Sequence, residues 1–239
     1  MLKNSESAKD HYILGNYYLN LGRLEEAIIA YQQAIQIDPN HANAYFNLGL
    51  AYGRQGQLEQ AIAAYQQAIQ IDPNDADVYT NLGNVYNERD QLEPAIAAYQ
   101  QAIQIDPNHT NVYFNLGNVY NEQGQLEPAI AAYQQAIQID PNHADVYTNL
   151  GLAYGRQGQL EPAIAAYQQA IQIDPNHAKA HNNLGTVYDR KGQLEQAIAA
   201  YQQAIQIDPN YADAYTNLEN VITTSTEHGK QRVRENQSR

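Results

Sequence analysis

Apolar residues recur along this chain at three- and four-residue steps within a segment that occurs six times. In one copy the glutamines face away from the apolar positions, which are Leu58, Ala61, Ile62, Tyr65, Ala68, Ile69 and Ile71. This spacing predicts a helix with one buried stripe. The segment AIAAYQQAIQIDPN is identical at 61–74, 95–108, 129–142, 163–176 and 197–210. A sixth copy, at 27–40, differs only at Ile29, and the constant period of 34 residues predicts a stack of repeated units.

A second stripe precedes each of these helices. In the second repeat it consists of Tyr45, Leu48, Gly49 and Tyr52. Residues at i, i+3, i+4 and i+7 share one face of a helix. The pattern therefore predicts a first helix over 42–55, a turn at 56–57 and a second helix over 58–71. The glycine of the stripe should let the second helix approach closely. The whole chain is expected to form six such hairpins, over 8–41, 42–75, 76–109, 110–143, 144–177 and 178–211.

The turns and chain ends complete the predicted organisation. A glycine suited to a left-handed helix stop precedes most second helices, at Gly22, Gly56, Gly124, Gly158 and Gly192. Asp90 replaces it once, at a modest backbone cost. Residues 1–7 are polar and are expected to fray. Residues 212–224 predict a lone capping helix, which closes a solenoid over 8–224, and the basic segment 225–239 is expected to be a disordered tail.

An aromatic residue, Leu-Gly, Tyr and Gly, followed by Ala, Tyr, Ala and Pro at this period, resembles the tetratricopeptide repeat (TPR), here over 8–211. The resemblance implies an all-α, right-handed superhelix whose first helices line a concave groove. His11 and His181 depart from the pattern, because they stand where other units have a tyrosine such as Tyr45. The Gln- and Ala-rich sequence of the repeats is similar to that of bacterial TPR proteins. A designed consensus array would have a similar sequence.

Composition narrows the classes of function. The net charge of −13 argues against a nucleic-acid partner, because phosphate contacts need clustered Lys and Arg. No apolar run approaches the roughly 18–20 residues that span a bilayer, and the first residues do not resemble a signal peptide. A cytoplasmic protein without a membrane partner is therefore expected. The chain contains no cysteine, so thiolate chemistry is excluded.

Histidines raise the possibility of a metal site, since four of them share one column beside the Asp-Pro-Asn turns: His41, His109, His143 and His177. Neighbouring helices lie roughly 8–10 Å apart, whereas zinc ligands lie about 2.0–2.1 Å from the ion. A shared site is excluded by this geometry, and the histidines are interpreted as surface turn residues. The sequence offers no Gly-rich phosphate loop and no catalytic grouping. We therefore expect no metal, no cofactor and no enzymatic activity.

The first helices differ between units on one face, the groove face, which lies away from the Tyr-Leu-Gly-Tyr stripe. One column of this face is constant: Asn47, Asn81, Asn115, Asn149, Asn183 and Asn217. An amide offers two donors and an acceptor, which suits the backbone of an extended peptide. The column is similar to the asparagine ladder of O-linked N-acetylglucosamine transferases. Alternatively, these amides bond neighbouring helices. The variable positions expected to set peptide specificity are Phe46, Leu50, Arg54, Asn84, Phe114, Asn118, Leu152, Arg156 and Arg190.

The pattern favours a non-catalytic scaffold that binds an extended peptide or a partner helix in the groove. Chaperone C-terminal tails are not expected as partners, because the clamp that binds them would need a lysine at Phe46, Thr80, Phe114 or Thr148 and an arginine in the asparagine column. Three alternatives remain open. The chain could be the regulatory, substrate-recruiting region of a larger enzyme such as a glycosyltransferase, an assembly factor that uses its convex face, or a designed repeat array.

Overall fold

A computed structural model describes residues 7–237 of the chain, and within that range the protein is entirely α-helical. The described residues form thirteen helices: α1 Ala8–Asn20, α2 Leu24–Ile37, α3 Ala42–Arg54, α4 Leu58–Ile71, α5 Ala76–Glu88, α6 Leu92–Ile105, α7 Thr110–Glu122, α8 Leu126–Ile139, α9 Ala144–Arg156, α10 Leu160–Ile173, α11 Ala178–Arg190, α12 Leu194–Ile207 and α13 Ala212–Gln237. The prediction of an all-α solenoid of helical hairpins is confirmed. Residues 1–6 and 238–239 lie outside the described residues, and with them most of the segment predicted to fray.

The chain packs as two compact units, one ending at Val119 and the other beginning at Tyr120. In the first unit each helix from α1 to α5 packs against the next helix, and α1 and α3 also contact the next first helix. In the second unit the same order runs from α8 to α13, with α9 against α11 and α11 against α13. Each groove face is therefore built from consecutive first helices.

A glycine–tyrosine contact forms the centre of the hairpins that contain Gly15, Gly49, Gly83, Gly151 and Gly185. Tyr65 is almost fully buried, and a Cβ atom added at Gly49 would lie 2.5 Å from its Cε1 atom. In the second unit a Cβ atom at Gly185 would lie 2.7 Å from Cε1 of Tyr201. Real Cβ atoms do not come this close to a ring, so only glycine lets the two helices pack at this distance. The expected role of this glycine column is confirmed.

The turns depend on residues that tolerate a positive φ angle or that bond to the local backbone. Gly56 has a φ angle of 75°, and Asp90, which replaces glycine in the third hairpin, is held at 56°. At the end of α4 the carboxylate of Asp72 accepts the backbone N–H of Asn74 at 3.0 Å. This local turn ends the second helix. Ser7 caps α1 through reciprocal bonds with Asp10, so this residue is ordered rather than frayed.

Helix α13 is longer than predicted. It continues past Thr224 as far as Gln237, where the sequence analysis expected a disordered tail. The added segment contains no proline and is rich in Glu, Gln, Lys and Arg, which favour helix. Gly229 has the lowest helix propensity of the segment. The prediction of a helix end at Thr224 is wrong because it relied on apolar periodicity, which a helix does not need.

The outer face of α1 is apolar. Ile13, Leu14 and Tyr17 are 54%, 39% and 59% exposed, whereas Leu48 and Ala51, at the positions of α3 equivalent to Leu14 and Tyr17, are buried. The difference arises because α1 is the first described helix and α3 packs against α2. None of the described helices is long and apolar enough to cross a membrane.

Candidate functional site

In the first unit the asparagine column takes part in contacts between hairpins. The side-chain N–H group of Asn47 on α3 donates to Oδ1 of Asn16 on α1 at 2.8 Å, and it lies 3.3 Å from the hydroxyl of Tyr12. The hydroxyl of Tyr31 on α2 donates to the same oxygen at 2.8 Å. Asn16 Oδ1 therefore joins three helices through two donors.

The same arrangement recurs one step further along. Oδ1 of Asn84 accepts the hydroxyl of Tyr99 at 2.8 Å and the amide of Asn115 at 2.9 Å. Asn84 was predicted to contact a bound peptide, but its side-chain oxygen accepts bonds from within the protein. This pairing could have been predicted from the repeat, because each acceptor lies 31 residues before its asparagine donor. For the asparagine donors this is the alternative left open by the sequence, in which the amides bond neighbouring helices.

Asn81 breaks this pattern, because Leu50 occupies the acceptor position of the preceding hairpin. Its amide donates instead to the carbonyl oxygen of Asp77, one turn earlier in its own helix, at 2.8 Å. In the second unit the amide of Asn217 donates to Asn182 at 3.0 Å, and Asn183 accepts a 3.4 Å contact from Asn182. The column is thus uniform in sequence and varied in its contacts.

The other predicted residues of the first unit divide between the core and the surface. Phe46 is half-buried, with its ring centroid 6.0 Å from that of Tyr65, and Leu50 packs on the same cluster. These two predicted specificity residues therefore belong in part to the core. Arg54 is exposed at the end of α3, and two half-buried residues of α7 complete the set, Phe114 and Asn118. Asn149 is half-buried on α9 of the second unit.

The second unit contains an open cleft on the groove face, with a volume of about 100 Å³. Four of the predicted site residues line it together: Leu152, Arg156, Asn183 and Arg190. Gly155, Tyr167, Thr186 and Val187 complete the wall. Tyr167, Thr186 and Val187 were not among the predicted site residues, although Thr186 occupies the same repeat position as Leu152. Residues of α9, α10 and α11 therefore form one cleft from positions up to 38 apart along the chain, Leu152 to Arg190.

Two arginines of this cleft bridge neighbouring first helices. Nη1 of Arg190 donates to the carbonyl oxygen of Gly155 at 2.7 Å. Nη1 of Arg156 donates to the carbonyl and side-chain oxygens of Asn121, at 2.6 and 2.8 Å. Each guanidinium thereby satisfies a carbonyl at the end of the preceding first helix, where the helix dipole favours a positive charge.

The turn histidines lie at the surface and also contact the preceding hairpin. Nε2 of His177 lies 3.1 Å from Oδ1 of Asp145 and 3.3 Å from the hydroxyl of Thr148, and its side chain is only 14% exposed. His109 makes the corresponding contact with Asp77 at 3.3 Å. These histidines link consecutive hairpins, so the interpretation as simple surface turn residues was incomplete.

The buried tyrosines have hydroxyls with altered pKa values. Burial raises the pKa of the Tyr65 and Tyr167 hydroxyls well above the ordinary value of 10, because the phenolate would lose its hydration. They stay protonated at neutral pH. No group of three or more potential metal ligands occurs among the residues that the structure describes.

Comparisons with known families agree with this architecture. Residues 71–212 match the model described as the cilia and flagella-associated protein 70 C-terminal domain. A TPR repeat model matches residues 15–56, and a tetratricopeptide repeat model matches residues 42–75. A comparison with curated protein sequences found no match.

Similar solved structures include YrrB, a TPR protein with an unusual peptide-binding site, at 26% identity over 78% of this chain and 96% of YrrB, with a TM-score of 0.68. MamA is 30% identical over 70% of this chain and 97% of MamA, with a TM-score of 0.66. PilF of Pseudomonas aeruginosa, 21% identical over 87% of this chain and 95% of its own, shares the fold at a TM-score of 0.74. With its 34-residue hairpins and glycine–tyrosine contacts, the chain belongs to the tetratricopeptide-repeat family.

Proposed function

We propose that this chain is a non-catalytic scaffold that binds an extended peptide along its groove face. The observation that carries the proposal is the cleft of the second unit, which gathers Leu152, Arg156, Asn183 and Arg190 on one surface. Apolar, amide and cationic groups converge there, as they do in sites that fix the orientation of a ligand.

The amides of the groove face keep binding capacity after their internal contacts are counted. Each carboxamide has two N–H donors and one oxygen acceptor. Asn81 uses one donor on its own helix, at the carbonyl of Asp77. A second donor and the oxygen can therefore pair with a peptide backbone. Asn47 keeps its oxygen for this purpose, because its amide N–H groups already contact Asn16 and Tyr12.

The spacing of first helices sets the length of peptide that the second unit would hold. Packed helices lie roughly 8–10 Å apart, so two steps from α9 to α13 span about 16–20 Å. An extended chain covers about 3.3 Å per residue, which gives roughly five or six residues. Peptide binding by YrrB, a structure similar to this one, supports the same use of the fold.

The test is selection of a displayed library of random peptides, each about twelve residues long, against the full chain. Enriched peptides are then measured by fluorescence anisotropy on the unaltered protein and on the double variant Asn81→Ala/Asn183→Ala. Asn81 donates within its own helix to Asp77, and Asn183 hydrogen-bonds to Asn182 and Tyr167, so circular dichroism verifies that the double variant is folded. We expect the affinity to fall several-fold, since each lost hydrogen bond is worth about 0.5–1.5 kcal/mol.

A matched control is Gln66→Ala together with Gln168→Ala, on the second helices and away from the groove face. The amide of Gln66 donates to the hydroxyl of Tyr86, and that of Gln168 to the hydroxyl of Tyr188. The control should bind as the unaltered chain does. If the peptides bind the asparagine variant unchanged and lose affinity for the glutamine variant, the binding surface lies on the second helices and the proposal is wrong.

A further inference from the structure

Arg156 and Arg190 line the same cleft, and among the residues that the structure describes neither guanidinium takes part in an ion pair. Both are exposed at the ends of their helices. They donate to oxygens of Asn121 and Gly155, which are neutral groups. A carbonyl oxygen orients a guanidinium but does not neutralise it. Of its five N–H groups, Arg190 keeps four and Arg156 keeps three that can bind an anion.

This pair of charges is unusual within the chain. The equivalent position of the other hairpins holds Asn20, Arg54, Glu88 and Glu122, so two arginines follow each other only here. The chain as a whole has a net charge of −13. Asp189 adjoins Arg190 along the chain, and no ion pair joins the two side chains. The cleft is therefore a local cationic site on an acidic protein.

The floor of the cleft between the two arginines is apolar. Val187 is 3% exposed, and Leu152 is half-buried beside it. Gly155 leaves a gap in which an added Cβ atom would have ordinary contacts, 3.8 Å from Nη1 of Arg190 and 4.0 Å from Cγ2 of Val187. The cleft volume of about 100 Å³ is roughly that of three water molecules at about 30 Å³ each. A short branched aliphatic side chain has this size.

We propose that this cleft is a subsite for an acidic side chain next to a small aliphatic side chain of the bound peptide. The carboxylate lies between the guanidinium groups of Arg156 and Arg190. The aliphatic group fills the space over Gly155, against Leu152 and Val187. The proposal rests on the proposed peptide-binding function and names the chemistry that the second unit selects.

The test uses fluorescent peptide pools of about nine residues, which extend to roughly 30 Å. Flanking positions are an equal mixture of Ala, Ser, Thr and Asn, and both ends are blocked. The central pair is Glu–Val, Gln–Val or Glu–Gly. Each pool is titrated against the full chain at an ionic strength of about 0.15 M, where the Debye length is about 8 Å.

We expect the Glu–Val pool to bind about 3- to 10-fold more tightly than the Gln–Val pool, because a carboxylate forms charge-assisted hydrogen bonds with guanidinium. This preference should fall to less than half at about 1 M salt, where the Debye length is about 3 Å. The Glu–Val pool should also exceed the Glu–Gly pool several-fold, because the valine methyl groups are buried.

Variants separate charge from packing. The double variant Arg156→Gln/Arg190→Gln should lose the preference for Glu over Gln, while Arg156→Lys/Arg190→Lys should keep part of it because the charges remain. Gly155→Ala should lose the preference for Val over Gly and keep the preference for Glu. Arg54→Gln, at the equivalent position of the first unit, is the matched control and should retain both preferences. Circular dichroism verifies that each variant is folded.

The outcomes distinguish the two proposals. If the pools bind and the unaltered chain does not prefer Glu to Gln, the acidic subsite is wrong and peptide binding stands. A preference for Glu that survives in the glutamine double variant also refutes the subsite, because the charges then lie elsewhere. If no pool binds, both proposals fail together. The salt dependence needs no variant, so it decides the question even where a substitution unfolds the protein.

Discussion

Replacing Asn47 and Asn81 separately by alanine tests whether the asparagine column stabilises the stack. Both residues occupy the same position of a first helix, in α3 and α5, and both are half-buried. Asn47 donates to Asn16 across 31 residues of sequence, whereas Asn81 donates within its own helix to Asp77. The pair therefore differs mainly in one hydrogen bond between hairpins.

The size of the effect follows from that bond. An intramolecular hydrogen bond contributes a net of about 0.5–1.5 kcal/mol. Alanine has a higher helix propensity than asparagine by up to about 0.7 kcal/mol, and this gain is the same at both sites. Asn47→Ala does not leave Asn16 Oδ1 unpaired, because the hydroxyl of Tyr31 still donates to it. We therefore expect the free energy of unfolding of Asn47→Ala to lie about 0.5–1.5 kcal/mol below that of Asn81→Ala.

Urea denaturation of the full chain, followed by far-ultraviolet circular dichroism, measures this difference. A difference of 1 kcal/mol corresponds to roughly 2–4 °C in melting temperature for a chain of this size. The Asn81→Ala variant should melt at the temperature of the unaltered protein or slightly above it. Equal losses at the two sites would show that the contact between Asn47 and Asn16 does not stabilise the stack, and the reasoning would be wrong.

Three further predictions concern the core and the turns. Gly49→Ala should lower the free energy of unfolding by about 1–3 kcal/mol, because its Cβ atom meets the ring of Tyr65. Gly53→Ala, where an added Cβ atom has nothing within 4 Å, should raise the free energy of unfolding by up to about 1 kcal/mol. Urea titrations that rank the two variants in the opposite order would contradict the packing argument. Asp90→Gly should raise the melting temperature, since it removes a positive φ angle of 56° from a residue with a side chain, and a lower melting temperature would count against that strain. Because burial raises the pKa of Tyr65 and Tyr167, their contribution to stability is complete below about pH 10, the unfolded value, and is lost as pH rises through the higher folded value; tyrosinate absorbance of these residues should appear only as helicity is lost, and complete ionisation of a fully helical protein would refute their burial.

The sequence by itself determined the hairpins, because a helix depends on residues three and four positions apart. The stripe of Tyr45, Leu48 and Gly49 and the segment around Tyr65 predict α3 and α4 almost to the residue. The need for glycine at position 49 was also predictable, since one small residue recurs opposite a buried aromatic residue in each unit. The predicted length of α13 was wrong. Its segment beyond Thr224 is helical without apolar periodicity, which was the pattern used to predict helices.

Only the tertiary structure decided which members of each column meet. Asn47 and Asn81 are identical in sequence, yet one amide binds Asn16 in the preceding hairpin and the other binds its own helix, because Leu50 offers no acceptor. The pairing of Arg190 with the carbonyl of Gly155 likewise joins residues 35 apart. Such contacts depend on the distance and rotation between consecutive hairpins, which side-chain packing sets, and no local pattern of residues records them.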